Sequence, residues 1–158
     1  MAIGYDSLYN YYAFLNNSDT VKQKFTSIIN GQILITHSFG QWNERHALQF
    51  STHVKKQVKG FNQQPFGHLL YFDEWQLAGP ETIPVIRDTI SWLVNNGMRC
   101  AAEIFHPDAL KAYLLDNMVA ESRERFDIHR FDNDDDGLAW LESYGFRLET
   151  PLSFDTVP

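Results

Sequence analysis

From residue 32 onward, the apolar positions of the chain alternate between two patterns. Short continuous apolar runs, typical of buried strands, give way to longer stretches in which apolar residues recur every three or four positions, as on one side of a helix. Turn or capping residues mark each change of pattern. This rhythm predicts an α/β fold in which helices connect the strands of one sheet.

The first two strands are predicted to form an antiparallel hairpin. Apolar runs lie on both sides of Asn30-Gly31. An Asn-Gly pair favours a type I′ turn, because both central residues of that turn need positive φ. Residues 24–38 are therefore expected to be two antiparallel strands.

Two helices are predicted in the middle of the chain. The first runs from about Asn43 to Lys59, and the second begins near Glu81 and ends at Asn96-Gly97, a pair that favours a helix C-terminus. Five apolar residues form the predicted buried stripe of the first helix: Ala47, Phe50, Val54, Val58 and Phe61.

Two more helices are predicted towards the C-terminus. The third begins after Pro107 and Asp108, and the fourth begins within the acidic run 132–136 and stops at Gly145. The inward-facing residues expected for the third helix are Leu110, Tyr113, Leu114 and Met118.

Three further strands complete the predicted sheet, at residues 68–73, 99–105 and 126–131. The continuous apolar run Leu69–Phe72 predicts that the first of these is central. The fold class is thus α/β, a single-domain mixed sheet of about five strands, with an N-terminal antiparallel hairpin, strand-helix repeats and four helices.

The predicted domain covers residues 24–146, with a C-terminal tail at 147–158 and an aromatic-rich N-terminal arm at 1–23. The arm packs either on the sheet of its own subunit or on a second subunit. The spacing of its tyrosines leaves both alternatives open, and the second would make a homodimer.

Composition and charge narrow the classes of function. The 158 residues carry a formal charge of -7, which argues against a nucleic-acid partner, since such proteins usually show a basic surface. The single cysteine, Cys100, fits a reducing compartment. No secretory signal and no apolar run of ~18 residues stand in the sequence, so we expect a cytoplasmic protein without a membrane span.

Neither the histidines nor the acidic run predicts a metal site. The six histidines are spread along the chain, and surface or strand-end positions are expected for them. The run from Asp132 to Gly137 begins like an EF-hand calcium loop, but Ser143 occupies the position where a bidentate Glu is needed. The acidic residues are better explained as the N-terminus of the fourth helix. No metal and no cofactor are predicted.

Catalytic motifs are also absent from the sequence. It has no Gly-x-Ser-x-Gly elbow and no glycine-rich phosphate loop, and Cys100 lies in the middle of a predicted strand. Asp73 and Glu74 follow the central strand, at the carboxyl end where open α/β sheets bind ligands. They could serve acid–base chemistry, but solvated loop charges explain them better, so no catalytic residue is assigned.

The order of elements, with four short motifs, resembles the STAS domain of anti-sigma-factor antagonists, in particular its anti-sigma-antagonist-like (STAS/SEC14-like) bacterial branch. The resemblance covers about residues 24–146. The motifs that carry it are Gly40-Gln41-Trp42-Asn43, Leu70-Tyr71-Phe72-Asp73, Gly97-Met98-Arg99 before Ala101-Ala102, and Ala139-Trp140-Leu141.

This resemblance implies a non-enzymatic module that binds another protein. In antagonists of this family, a partner kinase phosphorylates a serine at the start of the second helix. That position falls at or next to Glu81, with Thr82 adjacent, and Pro80-Glu81 replaces the usual Asp-Ser pair. The residues expected to bind the partner or a ligand are Asp73, Glu74, Trp75, Glu81 and Thr82.

Two other functions are kept as alternatives. The first is a carrier or sensor of a small apolar, lipid-like ligand, by analogy with the SEC14-like relation. Trp42, Trp75 and Trp92 could line its pocket, together with the tyrosine-rich N-terminus. The second is an unrecognised hydrolase.

Overall fold

A computed structural model describes residues 23–152 of the chain. Its strands are β1 Phe25–Asn30, β2 Ile33–Ser38, β3 Gly40–Trp42, β4 Phe66–Tyr71, β5 Trp75–Ala78, β6 Met98–Ile104 and β7 Asp127–Phe131. Its helices are α1 Glu44–Val58, α2 Thr82–Asn95, α3 Ala109–Val119 and α4 Asp134–Ser143, with a short 3-10 helix at Lys59–Phe61. The predicted arm, apart from residue 23, lies outside the described residues.

The main sheet has five strands in the order β1-β2-β4-β6-β7. The pair β1 and β2 is antiparallel, and every other pair in this sheet is parallel. The fold prediction is therefore confirmed: the sheet is mixed, the first two strands form the hairpin, and β4 is its central strand. Gly31 has a φ of 61° in the hairpin turn, where the Asn-Gly pair predicted positive φ.

The helices divide between the two faces of the sheet. The connections from β2 to β4, from β4 to β6 and from β6 to β7 each lead to the next strand on the same side of the sheet. Because such parallel connections are right-handed, the helices within them lie on one face. The helices α1, α2 and α3 accordingly share an apolar core with that face, which we call the three-helix face. Helix α4 follows the last strand and packs with a second core cluster on the opposite face, the α4 face.

Reciprocal capping explains the start of α1 and corrects the prediction for the histidines. The Asn43 side chain accepts a hydrogen bond from the His46 N–H (3.2 Å), and the Asn43 N–H donates to His46 Nδ1 (3.0 Å). His46 is consequently buried, and His68 is buried within β4. The expectation of surface or strand-end positions is therefore wrong for these two residues. The predicted stripe of α1 is buried throughout.

Helix α3 presents a different face from the predicted one. Met118 is buried as expected, but the other fully buried positions are Leu115 and Val119. Leu110 and Tyr113 are instead 54% and 66% exposed. Apolar residues lie all round this helix, so their spacing does not indicate which side faces the sheet.

The acidic run forms the N-terminus of α4, as predicted. The Asn133 side chain is the cap and accepts a hydrogen bond from the Asp136 N–H at 2.9 Å. Asp134, Asp135 and Asp136 occupy the first turn, where the helix dipole favours negative charge. In residues 23–152, no group of His, Cys, Asp and Glu side chains is arranged to hold a metal ion.

Three segments outside the predicted strands and helices are held by hydrogen bonds to other parts of the chain. The strands β3 and β5 form a small parallel ladder beside the main sheet. After α4, the described part of the tail binds back to the hairpin, where Asn30 Oδ1 accepts from the N–H groups of Glu149 and Thr150. None of the described helices is both long and apolar enough to cross a membrane.

Candidate functional site

Asp73 is fixed at the carboxyl end of β4 by the neighbouring connection between β6 and α3. Its Oδ1 accepts hydrogen bonds from the His106 N–H and from His106 Nδ1, both at 2.9 Å. Lys111 Nζ donates to the carbonyl oxygens of Phe72 (2.8 Å) and Asp73 (3.0 Å). The loop that follows the central strand is therefore held in one position by two side chains from the next crossover.

The electrostatics of this corner keep Asp73 ionised. Partial burial acts to raise its pKa, but the hydrogen bonds from His106 and the charges of His106 and Lys111 together hold that pKa below its ordinary value. The imidazole of His106 is largely exposed. No hydroxyl or thiol among residues 23–152 bonds to it, so the pair has no nucleophile beside it.

The predicted site residues Glu74 and Trp75 have different environments. Glu74 is exposed, and its carbonyl oxygen accepts from the Gly40 N–H at 2.9 Å. Trp75 is buried, with its ring centroid 5.4 Å from that of Phe72. Glu74 can thus meet a partner protein directly, whereas Trp75 holds β5 in place from inside the core.

Glu81 and Thr82 also differ in accessibility. Glu81 is exposed and immediately precedes α2, and its side chain makes no capping hydrogen bond. Thr82 is 0% exposed, and its hydroxyl donates to the Gly79 carbonyl oxygen at 2.6 Å. The carboxylate of Glu81 at the start of α2 is therefore exposed to solvent, while the hydroxyl of Thr82 is buried in the turn.

Helix α3, which Lys111 ties to the end of β4, adds exposed apolar residues. Leu110 and Tyr113 stand on the outer side of α3, whose Lys111 is bonded to the end of β4. Asp108, the cap of α3, is exposed beside them. We define the docking surface as Asp73, Glu74 and Glu81 with the exposed positions Asp108, Leu110 and Tyr113. It combines exposed apolar side chains with acidic groups, and protein interfaces commonly combine apolar and polar surface.

A cavity of about 70 Å³ lies between the three-helix face and its helices, and the neighbours Phe72 and Trp75 of the docking-surface residues Asp73 and Glu74 are part of its lining. Trp42 and Trp75 are part of its wall, as the ligand-carrier alternative requires. Trp92 is not, and Lys55 Nζ lies 5.8 Å from its ring centroid. The predicted site residues therefore divide: Trp75 meets the cavity, and Asp73, Glu74 and Glu81 meet solvent.

One buried carboxylate lies beside this cavity. Glu103 on β6 accepts a hydrogen bond from Arg130 Nε at 3.0 Å, and Arg130 Nη2 also bonds Asp116 at 2.6 Å. Burial raises the pKa of Glu103 to about 7, although the charge of Arg130 opposes the shift. The Cys100 thiol, on the other face, has its pKa raised to about 12 by burial, so it stays protonated and unreactive.

Sequence reasoning missed His106 and Lys111. His106 follows β6 directly, as Asp73 follows β4, and the carboxyl ends of adjacent parallel strands meet at one edge. That signal could have found His106. Lys111 could not have been assigned, because its contact depends on which side of α3 faces the sheet.

The comparisons with known proteins concern the fold. No protein-family model matches the sequence, and no curated protein matches it. A solved structure of a DUF3478-family protein from Shewanella loihica, with a SpoIIAA-like fold, aligns with a TM-score of 0.60 at 12% identity, over 78% of this chain and 98% of that one. The chain therefore shares its fold with a solved structure, although neither a family model nor a curated protein matches its sequence.

Two anti-sigma factor antagonists align in the same way. SpoIIAA in its unphosphorylated form gives a TM-score of 0.52 at 7% identity, over 75% of this chain and 97% of that one. A putative antagonist from Thermotoga maritima gives 0.54 at 13% identity, over 75% and 94%. The chain thus has a STAS-like, SpoIIAA-like α/β fold, as the resemblance predicted.

Proposed function

We propose that the chain is a non-enzymatic, cytoplasmic regulatory module that binds another protein through the docking surface. The observation that carries this proposal is the exposure of three carboxylates, Asp73, Glu74 and Glu81, together with exposed Leu110 and Tyr113 on α3, the helix that Lys111 ties to the end of β4. The likeness to anti-sigma factor antagonists supports the same class of function. A partner that fits this surface presents basic side chains around an apolar contact.

The start of α2 supports a fixed binding state. Its free N–H groups favour a nearby negative charge by about 0.3–1 kcal/mol, and a phosphate carries roughly -1.5 to -2 charge. Glu81 supplies a permanent, weaker charge at this place, while the Thr82 hydroxyl is buried. We therefore expect the protein from its own host to carry no phosphate in residues 73–90. Stoichiometric phosphate on Thr82, detected by mass spectrometry, would contradict the fixed state.

Affinity capture from the source organism, compared across three versions of the chain, tests the docking surface. The versions are the wild type, Glu81→Ser, and the control Glu142→Ser on α4, which lies outside the docking surface. Proteins are quantified by mass spectrometry after capture. We expect one partner to be retained by wild type and control and lost with Glu81→Ser, while the free energy of unfolding changes by under about 1 kcal/mol. A partner retained equally by all three would refute the proposed surface.

The second candidate function is a carrier or sensor of a small ligand, and the specific observation that favours it is the cavity on the three-helix face. Pockets for drug-sized ligands usually have volumes of ~300–1,000 Å³. A cavity of about 70 Å³ does not hold a lipid chain. This candidate is therefore restricted to much smaller ligands than the lipid-like class that the sequence suggested.

A further inference from the structure

The five-stranded sheet has two edge strands, β1 and β7, and the outer edge of β1 is covered. The Phe25 carbonyl oxygen accepts a hydrogen bond from Gln23 Nε2 at 2.8 Å. The Ser27 carbonyl oxygen accepts from Gln57 Nε2 of α1. Side chains of the same chain therefore occupy the acceptors with which another strand would pair, a protection that natural proteins often give to a sheet edge.

The outer edge of β7 is open. The Phe131 carbonyl oxygen accepts from the Phe105 N–H at 3.1 Å and therefore points towards β6. Successive residues of a strand direct their backbone groups to opposite edges, so those of Ile128 and Arg130 point away from β6. In the part of the chain that the structure describes, no strand and no side chain pairs with these groups. A row of unpaired N–H and C=O groups is a template for another strand.

Two polar side chains of β7 are held in place beside this edge. Asp127 and His129 are exposed and lie on the α4 face, beside the core residues of β6. The Tyr144 hydroxyl donates a hydrogen bond to Asp127 Oδ2. The ring of His129 packs against those of Phe131 and Trp140, at centroid distances of 4.9 and 5.9 Å. Ordering these two side chains at an interface therefore costs little, because contacts within the chain already restrict them.

The sequence of β7 is complementary to itself in one antiparallel register. With Ile128 opposite Ile128 of a second copy, Asp127 of each chain faces His129 of the other, so a carboxylate meets an N–H donor twice. A register centred on His129 places two imidazoles opposite each other, and one centred on Arg130 places two guanidinium groups opposite each other. Because the backbone groups of Ile128 point outward, the first register also joins the copies by main-chain hydrogen bonds.

We propose that β7 is a dimerisation edge, to which a second copy of the chain adds its own β7 in the antiparallel direction, with Ile128 at the two-fold axis. One continuous sheet then runs through both copies, and the pair of Asp127 with His129 occurs twice by symmetry. No docking-surface residue lies on β7 or α4. This inference is therefore independent of the proposed function.

The helices beside β7 leave room for the second copy. Arg130, on the three-helix face, bonds Glu103 and Asp116 but keeps 31% of its side chain exposed, so α3 does not cover the strand completely. On the other face, α4 packs mainly on β6, with β4 and β7 on either side. The two α4 helices would lie about three strand spacings apart, ~14 Å, which exceeds the roughly 8–10 Å between packed helices.

Sedimentation equilibrium of the full chain over a series of concentrations measures the dimer Kd. Asp127→Arg places a cation opposite His129, and the matched control Asp88→Arg makes the same charge change at an exposed position of α2. We expect Asp127→Arg to weaken dimerisation about tenfold and Asp88→Arg to leave it near wild type. Adding His129→Asp to Asp127→Arg exchanges the two charges and should restore the dimer. Circular dichroism shows whether each variant keeps its fold.

Single cysteines test the register. Directly opposite residues of an antiparallel pair have Cα atoms ~4.5–5.5 Å apart, which a disulfide spans, whereas diagonal neighbours are ~7–8 Å apart. The variants Asp127→Cys and His129→Cys should therefore cross-link when they are mixed with oxidised glutathione, and neither should cross-link alone. Cys100 is buried and does not compete.

Each outcome bears on the dimerisation edge. A wild-type chain that stays monomeric up to about 1 mM would overturn it. A dimer that Asp127→Arg leaves unchanged, or that Asp88→Arg weakens equally, would place the interface elsewhere and overturn it too. Cross-linking of His129→Cys alone would overturn the register centred on Ile128. A dimer that Asp127→Arg weakens, that the exchange of charges restores, and that cross-links only in the mixture supports the proposal.

Discussion

The two faces of the sheet are packed in contrasting ways. On the α4 face, the core is apolar and tightly packed. A Cβ added to Gly67 would lie 3.0 Å from Leu141 Cδ2, and a Cβ added to Gly137 would lie 2.6 Å from Ile104 Cδ1. The three-helix face contains the cavity and a row of buried polar residues, Thr36, Ser38, His68 and Glu103. The two faces of one sheet therefore differ in how completely their cores are filled.

This contrast has a cause in the contacts of the helices. A single helix, α4, approaches the sheet closely because glycines stand at two of its contact points, Gly67 and Gly137. Three helices share the other face, and side chains bridge the spaces between them. An unfilled space removes dispersion contacts from its lining, so packing alone does not favour the cavity.

The largest expected effect comes from truncating one leucine on each face. Leu141 on α4 and Leu93 on α2 are both buried, but only Leu93 lines the cavity. Leu→Ala changes in protein cores cost about 2–5 kcal/mol. We expect Leu141→Ala to lie near the top of that range and Leu93→Ala near the bottom, because Leu93 already lacks contacts on one side. Urea unfolding of the two variants provides the comparison; a Leu93→Ala variant that loses more stability would break it.

Much of this arrangement could be predicted from the sequence, because local patterns determine it. The Asn30-Gly31 turn, the stripe of α1 and the acidic start of α4 all lie within single elements. The alternation of strands and helices predicts parallel strands joined by helices, and the strand order comes from the structure. A turn, a helix stripe and a helix start depend on residues that are close in sequence, so the pattern of apolar and polar residues predicts them.

The remaining features depend on contacts between distant segments. The cavity is lined by residues from several helices and strands that do not pack completely against one another. The sequence of any one segment therefore does not predict it. The sequence predicted Asp73 and Glu74 as docking-surface residues because they follow the central strand. It did not predict the docking-surface residues of α3, because apolar residues lie on all sides of that helix. His68 begins a run that predicted a buried strand. Its burial is explained by the hydrogen bond between His68 Nε2 and Thr36 Oγ1, a residue of another strand that the local pattern does not show.

The second prediction concerns the pH dependence of stability. The pKa of Glu103 rises from 4.5 to about 7 on folding, so its contribution to stability is complete below 4.5 and is lost as the pH rises through 7. Glu103→Gln removes this loss. Between those values, the variant's free energy of unfolding should therefore rise more steeply with pH than that of the wild type, by up to ~1.4 kcal/mol per pH unit.

Denaturant unfolding at a series of pH values measures this slope. Glu142→Gln is the control, since Glu142 is exposed on α4 beside Arg147. The contribution of His68, whose pKa is lowered, is present in every version and cancels in the comparison. Identical slopes for the wild type and Glu103→Gln would show that the three-helix face holds Glu103 in its ordinary ionised form.

A smaller effect is expected at the helix caps of the two faces. Asn133→Ala removes one capping hydrogen bond from α4 and should cost about 1 kcal/mol. Asn43→Ala removes the side-chain acceptor from the reciprocal cap of α1, and the backbone bond to His46 Nδ1 loses its support as well. Thermal unfolding should therefore show the larger decrease in Tm for Asn43→Ala. The reverse order would mean that the two caps do not act through these bonds.

Two adjacent alanines of β6 give the most direct test of the difference between the faces. Ala101 lines the cavity, and Ala102 is buried on the α4 face, so the same change places extra volume on opposite sides of one strand. We predict that Ala102→Val lowers the free energy of unfolding by about 1–3 kcal/mol through overpacking, whereas Ala101→Val leaves it unchanged or raises it. Equal destabilisation by both variants would contradict the account, because it would show that the three-helix face has no more room than the α4 face.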